Sequence, residues 1–480
     1  MISSMNLVFV LALPLLSGAL LFKILLRETN TGPGLAVFVS YGLGMGLLAH
    51  CMLWMAFFRI PYDMAMITAG LLIIISILWI CLVKVFKVRW SPVSGNLFIS
   101  RSRDQNAGLM IFWGAITLMT LFYIWVRLFI VPVTGWDTLA TILFKAKVFF
   151  FRRSLDDLSR LPHSTYPLQM SFAVTWLSLV LDRWNEQMTA GSIFFGYILS
   201  FLGGAWFFLK RMGVSRSWTA MFIGFVISSN FFLVHFSGFY GDFPQAYYNF
   251  FVFACLVLWV QERRSAWLYL AAVLSGMGAF IKLEGLLYSG IHCLTVFVML
   301  WRSSGSRSWR TIAAKMGIFL GILAVWIVPF LVYKQLVLPP LPVTDQNFNF
   351  SMIRPEFSIG KFGMMVWVLW ADLLFSGNWS LITVIFFLTL CMVPLERYRQ
   401  RPELGMILFS LGIFLTMVIA GFSSTRFYYD VIDAHDPMSR ILMHFFLLIP
   451  LFIVLVLGRM ENPAHDRSNG PFRGGGSCAG

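Results

Sequence analysis

Two apolar runs decide how this chain is threaded: LQMSFAVTWLSLVL at residues 168–181 and FGMMVWVLWADLLF at residues 362–375. Each is about 14 residues long, short of the roughly 20 that a helix needs to cross a bilayer. Around them lie longer runs near 5–26, 34–58, 64–86, 108–131, 189–209, 218–236, 316–334, 403–421 and 441–458. Shorter candidate spans lie at 246–260, 266–281, 286–301 and 378–394. If either short run crosses alone, every later loop changes side.

Basic residues resolve the choice. The densest basic linkers are 84–107 (Lys84, Lys87, Arg89, Arg101, Arg103), 210–216 (Lys210, Arg211, Arg216), Arg263–Arg264, 302–315 (Arg302, Arg307, Arg310, Lys315) and 397–401 (Arg397, Arg399, Arg401). Cytoplasmic loops carry the Lys/Arg excess of membrane proteins. All five linkers share the cytoplasmic side only if neither short run crosses. The expected architecture is therefore an all-α polytopic membrane protein with thirteen spans, the N-terminus outside and the C-terminus inside. Both short runs are expected to lie as helices at the outer surface.

Composition agrees. Of 480 residues, 59% are hydrophobic and only 12% charged, against about 25% charged in soluble domains. Lys plus Arg number 36 and Asp plus Glu 21, a formal charge of +15. In a soluble chain that excess would point to nucleic acid; here loop charge accounts for it, and no nucleic-acid partner is expected. The six cysteines form no CxxC and no paired spacing, so neither disulfides nor a thiolate metal site is expected. The first apolar run lacks a basic n-region and reads as a retained helix, not a cleaved signal peptide.

The chemistry gathers on the outer segments. The long loop VPVTGWDTLATILFKAKVFFFRRSLDDLSRLPHSTYPLQM, residues 131–170, begins where the fourth span ends. Residues 138–151 form an apolar helix with Lys145 and Arg152 on one face, an interfacial pattern. Asp137 precedes it, either as an N-cap or as a carboxylate at the membrane edge suited to general base work. His163 and Tyr166 follow in a turn that either merely leads into 168–181 or folds back over Asp137. A second outer turn, HFSGFYGDFPQAYY (235–248), carries one acid, Asp242, and a tight turn explains its glycines. A third, AFIKLEGLLY (279–288), carries Lys282 and Glu284, which either pair with each other or serve a site. Near the last outer loop, Arg440 and His444 are four residues apart and share a helical face, placed for a lipid phosphate. Asp433, His435 and Asp436 match no standard metal spacing. Gly42 and Gly46 form a GxxxG of the helix-packing kind, and Asn378-Trp379-Ser380 is a glycosylation sequon.

These segments together resemble the GT-C clan of membrane glycosyltransferases, and most nearly the bacterial dolichyl-phosphate-mannose–protein mannosyltransferase-like group. The resemblance rests on GWD followed by KAK, on HSTYPL opening a short helix, on GFYGDFPQAYY, on IKLEGLLY and on SRILMH. It covers residues 108–334 well and 335–458 loosely. It implies a GT-C-like catalytic module at 108–334, preceded by three extra helices in 1–107, and followed by outer segments and helices at 335–458; the remaining 459–480, ending in the polar and Gly-rich PFRGGGSCAG, is expected from its composition to be a disordered cytoplasmic tail. It also implies transfer of a sugar from a polyprenyl-phosphate donor in the membrane lipid to a hydroxyl acceptor on a glycan, lipid or protein. The transfer would occur on the extracytoplasmic face, with inversion, in a bacterial inner membrane. Asp137 would be the base. Lys145, Lys147, Lys282 and Arg440 would hold phosphate, with His444 beside them, and His163 and Tyr166 would shape the pocket. Asp242 and Glu284 would orient hydroxyls. The family's acidic pair is here Trp136-Asp137, a single acid, which leaves a divalent metal open. The competing expectation is a lipid or sugar transporter or flippase, which would place ionisable groups near the bilayer midplane.

Overall fold

The computed structural model describes residues 4–29, 31–87, 106–304, 309–336, 358–375, 379–424, 428, 431–432 and 436–460. Among them the chain is helical, with no strand. This is the form in which an apolar chain satisfies its backbone without water. The protein is an integral membrane protein. Nine described helices are long and apolar enough to cross a bilayer, or ten if one bent pair counts as a span.

The order is α1 (Ser4–Leu25), α2 (Pro33–Phe57), α3 (Met64–Ile80) and α4 (Ala107–Phe129), then α5 (Phe144–Arg152) and α6 (Gln169–Val180). Next come α7 (Glu186–Arg211), α8 (Arg216–Ser228), α9 (Asn230–Ser237), α10 (Asp242–Glu262), α11 (Ser265–Gly278), α12 (Glu284–Ser304) and α13 (Trp309–Leu336). The chain ends in α14 (Ile359–Leu374), α15 (Ser380–Met392), α16 (Leu395–Gln400), α17 (Pro402–Ser423), α18 (Asp436–Phe446) and α19 (Leu448–Met460). Polar residues start several of these helices. Asp63 caps α3 by accepting from the Met66 amide, Asn185 caps α7 from Met188, and Ser358 caps α14 from Lys361, each satisfying an amide that the helix itself leaves open.

The centre is α10, whose residues from Asp242 to Val260 are all buried. At the periphery, α3 and α4 expose Ile73, Ile77, Ile111, Leu118, Met119 and Phe122, a surface suited to lipid chains. The two ends of α10 differ chemically. At its C-terminus Arg211 binds Glu262 at 2.6 Å, Arg264 donates to the Glu28 carbonyl, and Gln261 donates to Glu403, which also pairs with Arg401. The Asn106 carbonyl accepts from Ser217, Arg27 lies over Phe86, and Arg302 approaches Gly405. Described parts of all five basic linkers thus meet at one end of the bundle. The carboxylates described below cluster at the other end of this 21-residue helix, about 30 Å away at 1.5 Å per residue.

This arrangement leaves α4 and α7 as the crossings between Asn106 and Arg211, so 168–181 adds none. Its expected setting is nonetheless corrected. All twelve residues of α6 are buried, so it lies inside protein, not along the membrane surface. Its hydroxyls permit this: Ser171 donates to the Ile142 carbonyl, Thr175 to the Ala146 and Ser171 carbonyls, and Ser178 to the Val174 carbonyl. The α14 helix buries one face, Met365, Val368, Leu369, Asp372 and Leu373, and exposes Trp367 and Trp370 on the other. The span expected at 218–236 is broken, α8 and α9 meeting at 62°. The α11 and α15 helices have 14 and 13 residues, shorter than a full crossing.

The N-terminal helices are built into the bundle. Tyr41 donates to the Ile193 carbonyl, and Tyr248 donates to the carbonyl of Gly42. Gly42 faces the Tyr247 ring and Gly46 faces Met277, so both glycines of the GxxxG pack against α10 and α11. The closest backbone approach is elsewhere. A Cβ on Gly44 would lie 2.0 Å from the Pro14 carbonyl oxygen, and one on Gly18 2.1 Å from the Ser40 carbonyl oxygen. Backbone cannot rotate away as a side chain can. Gly44→Ala is expected to separate α1 from α2 at a cost of about 1–3 kcal/mol, the usual range for overpacking. Thermal unfolding in detergent measures it, and an unchanged midpoint would contradict this packing. The Asn378 sequon, Asp433, His435 and most of the 459–480 tail lie outside the described residues.

Candidate active site

The N-terminal end of α10 gathers six residues from four separate segments. Asp242 is the hub. It opens α10, where the unpaired amides of a first turn favour a carboxylate, and its side chain is fully buried. Lys282 Nζ donates to Oδ1 at 2.7 Å, His444 Nε2 to Oδ1 at 2.9 Å, and Arg440 Nη2 to Oδ2 at 3.0 Å. The turn between α11 and α12 supplies Lys282, and α18 supplies Arg440 and His444. Arg440 Nη1 reaches Asp137 Oδ2 at 2.6 Å, and its guanidinium carbon lies 4.9 Å from the Tyr240 ring centroid. Glu284 stands 3.8 Å from Lys282.

The imidazole of His444 has its tautomer fixed. A carboxylate only accepts, so Nε2 carries the proton toward Asp242. Nδ1 then accepts from the Tyr288 hydroxyl at 2.6 Å. Tyr288 was not among the residues picked out from sequence. Its signal was available, since 284 and 288 are four apart and share the face of α12 that meets the cluster. Further down the same face, His292 Nδ1 meets Ser275 Oγ at 2.8 Å, and Thr295 meets Ser410 at 2.8 Å. The spans therefore carry more polar groups than their low charge indicates.

Asp137 reaches the cluster because two outer segments touch. Thr138 Oγ1 donates to the Gly238 carbonyl at 2.7 Å. Gly135 is close enough to that carbonyl that a Cβ would sit 2.8 Å from the oxygen. The N-cap explanation for Asp137 does not hold: its side chain makes no cap hydrogen bond, and the helix turns directly into a π-helical segment, Thr138–Leu143. Two bulky residues nearby, His163 and Phe239, adopt left-handed backbone with φ of 51° and 56°, conformations that neighbouring packing must hold in place.

Exposure sorts the cluster. The side chain of Asp137 is 44% exposed, Glu284 29%, Arg440 20% and Lys282 14%, while Asp242 and His444 are at zero. Two expectations are corrected on this ground. Asp242 does not present its carboxylate to a hydroxyl, because its side chain is fully buried and its oxygens accept from Lys282, His444 and Arg440. His444 does not present a ring nitrogen to phosphate, because both are engaged inside the protein. Each instead fixes the cations. Burial acts to lower the Lys282 amine, and the Asp242 and Glu284 carboxylates outweigh it, holding the amine above its ordinary value.

Lys145 is also corrected. It is buried on α5, its Nζ donating to the His163 carbonyl at 2.5 Å and lying 5.8 Å from the Tyr166 ring centroid. Burial lowers its amine to about 7, so it is a poor fixed cation for phosphate. Tyr166, packed edge-on to His163 at 5.2 Å, is pushed up to about 12 by burial, then by Glu284, with Lys282 opposing. It keeps its proton as a wall of the cluster. Lys147 is exposed on α5, away from the contacts that join the others. Among the described residues, no three His, Cys, Asp or Glu side chains come together to hold a metal.

The amine of Lys145 makes stability depend on pH. Unfolded, it titrates near 10.5; folded, near 7. Between these values the unfolded chain holds a proton that the folded chain has shed. Stability is therefore expected to rise with pH from about 7 to about 10.5, by up to about 1.4 kcal/mol per unit, and to be flat in this respect below 7. Lys145→Met should remove that rise in thermal unfolding across pH. Equal slopes in the two proteins would exclude Lys145 as its source.

No protein-family model, no curated protein and no solved structure matches this chain. Its function has to be argued from the site.

Proposed function

We propose that the protein is a GT-C-like membrane glycosyltransferase that moves a sugar from a polyprenyl-phosphate donor to a hydroxyl acceptor, with the site on the extracytoplasmic face of a bacterial inner membrane. The observation that carries this reading is the pairing of a half-exposed carboxylate, Asp137, with two rim cations, Arg440 and Lys282, held by a buried carboxylate. Thirteen crossings with the N-terminus outside belong to the same reading, supported by the meeting of the basic linkers at the opposite end.

The acceptor oxygen attacks the anomeric carbon, its proton passing to Asp137. The bond from that carbon to the phosphate oxygen breaks, and the phosphate leaves with the electron pair. Phosphate is a good leaving group, so no acid is needed to expel it. Negative charge grows on the phosphate, where Arg440 and Lys282 act, and preoriented charges of this kind stabilise a transition state most. A single displacement inverts the anomeric carbon, by the same stereochemical logic as inverting glycosidases.

A second reading, lipid or sugar transport, has one observation in its favour: Glu284, Tyr288, His292 and Thr295 form a polar line down α12 into the bundle. One comparison separates the two. Purified protein is given polyprenyl-phosphate sugars and a cell-envelope extract, and free polyprenyl phosphate is measured. Release supports the transferase. No release, together with substrate flux in liposomes, would replace it with the transporter.

A further inference from the structure

Within the cluster no cation is idle. Lys282 contacts Asp242 and Glu284, and Arg440 contacts Asp137 and Asp242. Three carboxylates therefore face two fixed cations, so a phosphate entering the site competes with them for those cations. The bonds to Asp242 are buried, and breaking them would leave charge uncompensated in an apolar interior. The bond from Arg440 Nη1 to Asp137 differs. It lies at the rim, its carboxylate is 44% exposed, and no cap hydrogen bond holds that carboxylate.

We propose that Arg440 is an exchange point: the donor's phosphate displaces Asp137 from Nη1 while Nη2 stays on Asp242, so the base is released only when the leaving group is already held. This rests on the transferase reading and adds to it an order of binding, donor before acceptor. The buried Asp242 anchor is what lets Arg440 change partners without moving. Until the phosphate arrives, Asp137 is tied to a cation and is a poor acceptor for a hydroxyl proton. No other residue need move, because Asp137 stands in the first turn of its helix with a half-exposed side chain, and only that side chain has to turn.

The test uses the leaving group alone. Binding of a prenyl monophosphate to the full-length protein in detergent is measured by calorimetry, with neither sugar nor acceptor present. Asp137→Asn removes the competitor and should bind about three- to fivefold more tightly than wild type, the size expected for losing a half-exposed ion pair. Glu186→Gln removes the same charge at the exposed start of α7, outside the cluster, and should change affinity less than about twofold. In an Arg440→Lys background, whose single ammonium remains on Asp242, Asp137→Asn should no longer tighten binding. Unchanged or weaker binding by Asp137→Asn overturns the exchange. Equal tightening by Glu186→Gln, or tightening that persists with Lys at 440, also overturns it, because bulk charge would then be the cause. Absence of binding by every folded variant would instead overturn the transferase reading itself.

Discussion

Asp137→Asn is expected to lower release of polyprenyl phosphate by about 10²- to 10⁴-fold, the usual contribution of a positioned general base, with the fold intact. The two halves of this expectation come from different facts. Asp137 is the most exposed carboxylate of the cluster, so it is the one an acceptor hydroxyl can meet. Its ion pair with Arg440 is partly solvated, and such pairs contribute about 1 kcal/mol or less. The thermal midpoint should therefore move little while turnover collapses. Turnover within a factor of two of wild type, at equal folding, would remove Asp137 from the chemistry. Glu284 would then be the remaining rim carboxylate to test.

Asp242→Ala should do the opposite, with its largest effect on stability. The substitution leaves Lys282 and Arg440 at an outer end of the bundle with their buried counter-charge gone, and His444 Nε2–H without its acceptor. Removing one partner of a buried ion pair costs about 3–5 kcal/mol. Two cations share this carboxylate, so the upper part of that range is expected. Asp242→Asn keeps an oxygen acceptor and should fall between Ala and wild type. Denaturant or thermal unfolding in detergent measures both. An alanine variant as stable as wild type would mean that the cations have other counter-charges, and the anchoring role of Asp242 would fail.

The two variants separate roles that the sequence presents alike. Asp137 and Asp242 each stand beside a glycine and an aromatic residue, in Gly135-Trp136-Asp137 and Tyr240-Gly241-Asp242. Nothing in either turn marks one as half-exposed and the other as enclosed. The difference comes from which helices close over them. Arg440 and His444 of α18 contact Asp242 across sequence separations of 198 and 202 residues, distances at which local pattern carries no information.

Other parts were legible for good reasons. Apolar length gives helices, because a chain in hydrocarbon must satisfy its backbone internally. The positions of Lys and Arg placed five linkers on one side, and their described parts do meet at one end of the bundle. That distribution also led to the expectation that 168–181 and 362–375 lie at the surface without crossing. It could not say that the first lies inside protein: a short apolar helix reads the same against lipid or against neighbouring helices. The Ser and Thr hydroxyls of α6, each turned onto a backbone carbonyl, fit it for burial, and that fit depends on α5 packing beside it.

The sequence by itself thus determined an all-α membrane chain and the connecting segments on which its ionisable residues sit, because hydrophobic length and loop charge are local properties. The tertiary structure decided what those residues are to one another. It made Asp242 a buried anchor, Arg440 a shared cation and Asp137 the exposed acid, and it withdrew Lys145 and His444 into the interior. These assignments follow from which helix ends converge, and convergence is set by packing between residues hundreds of positions apart.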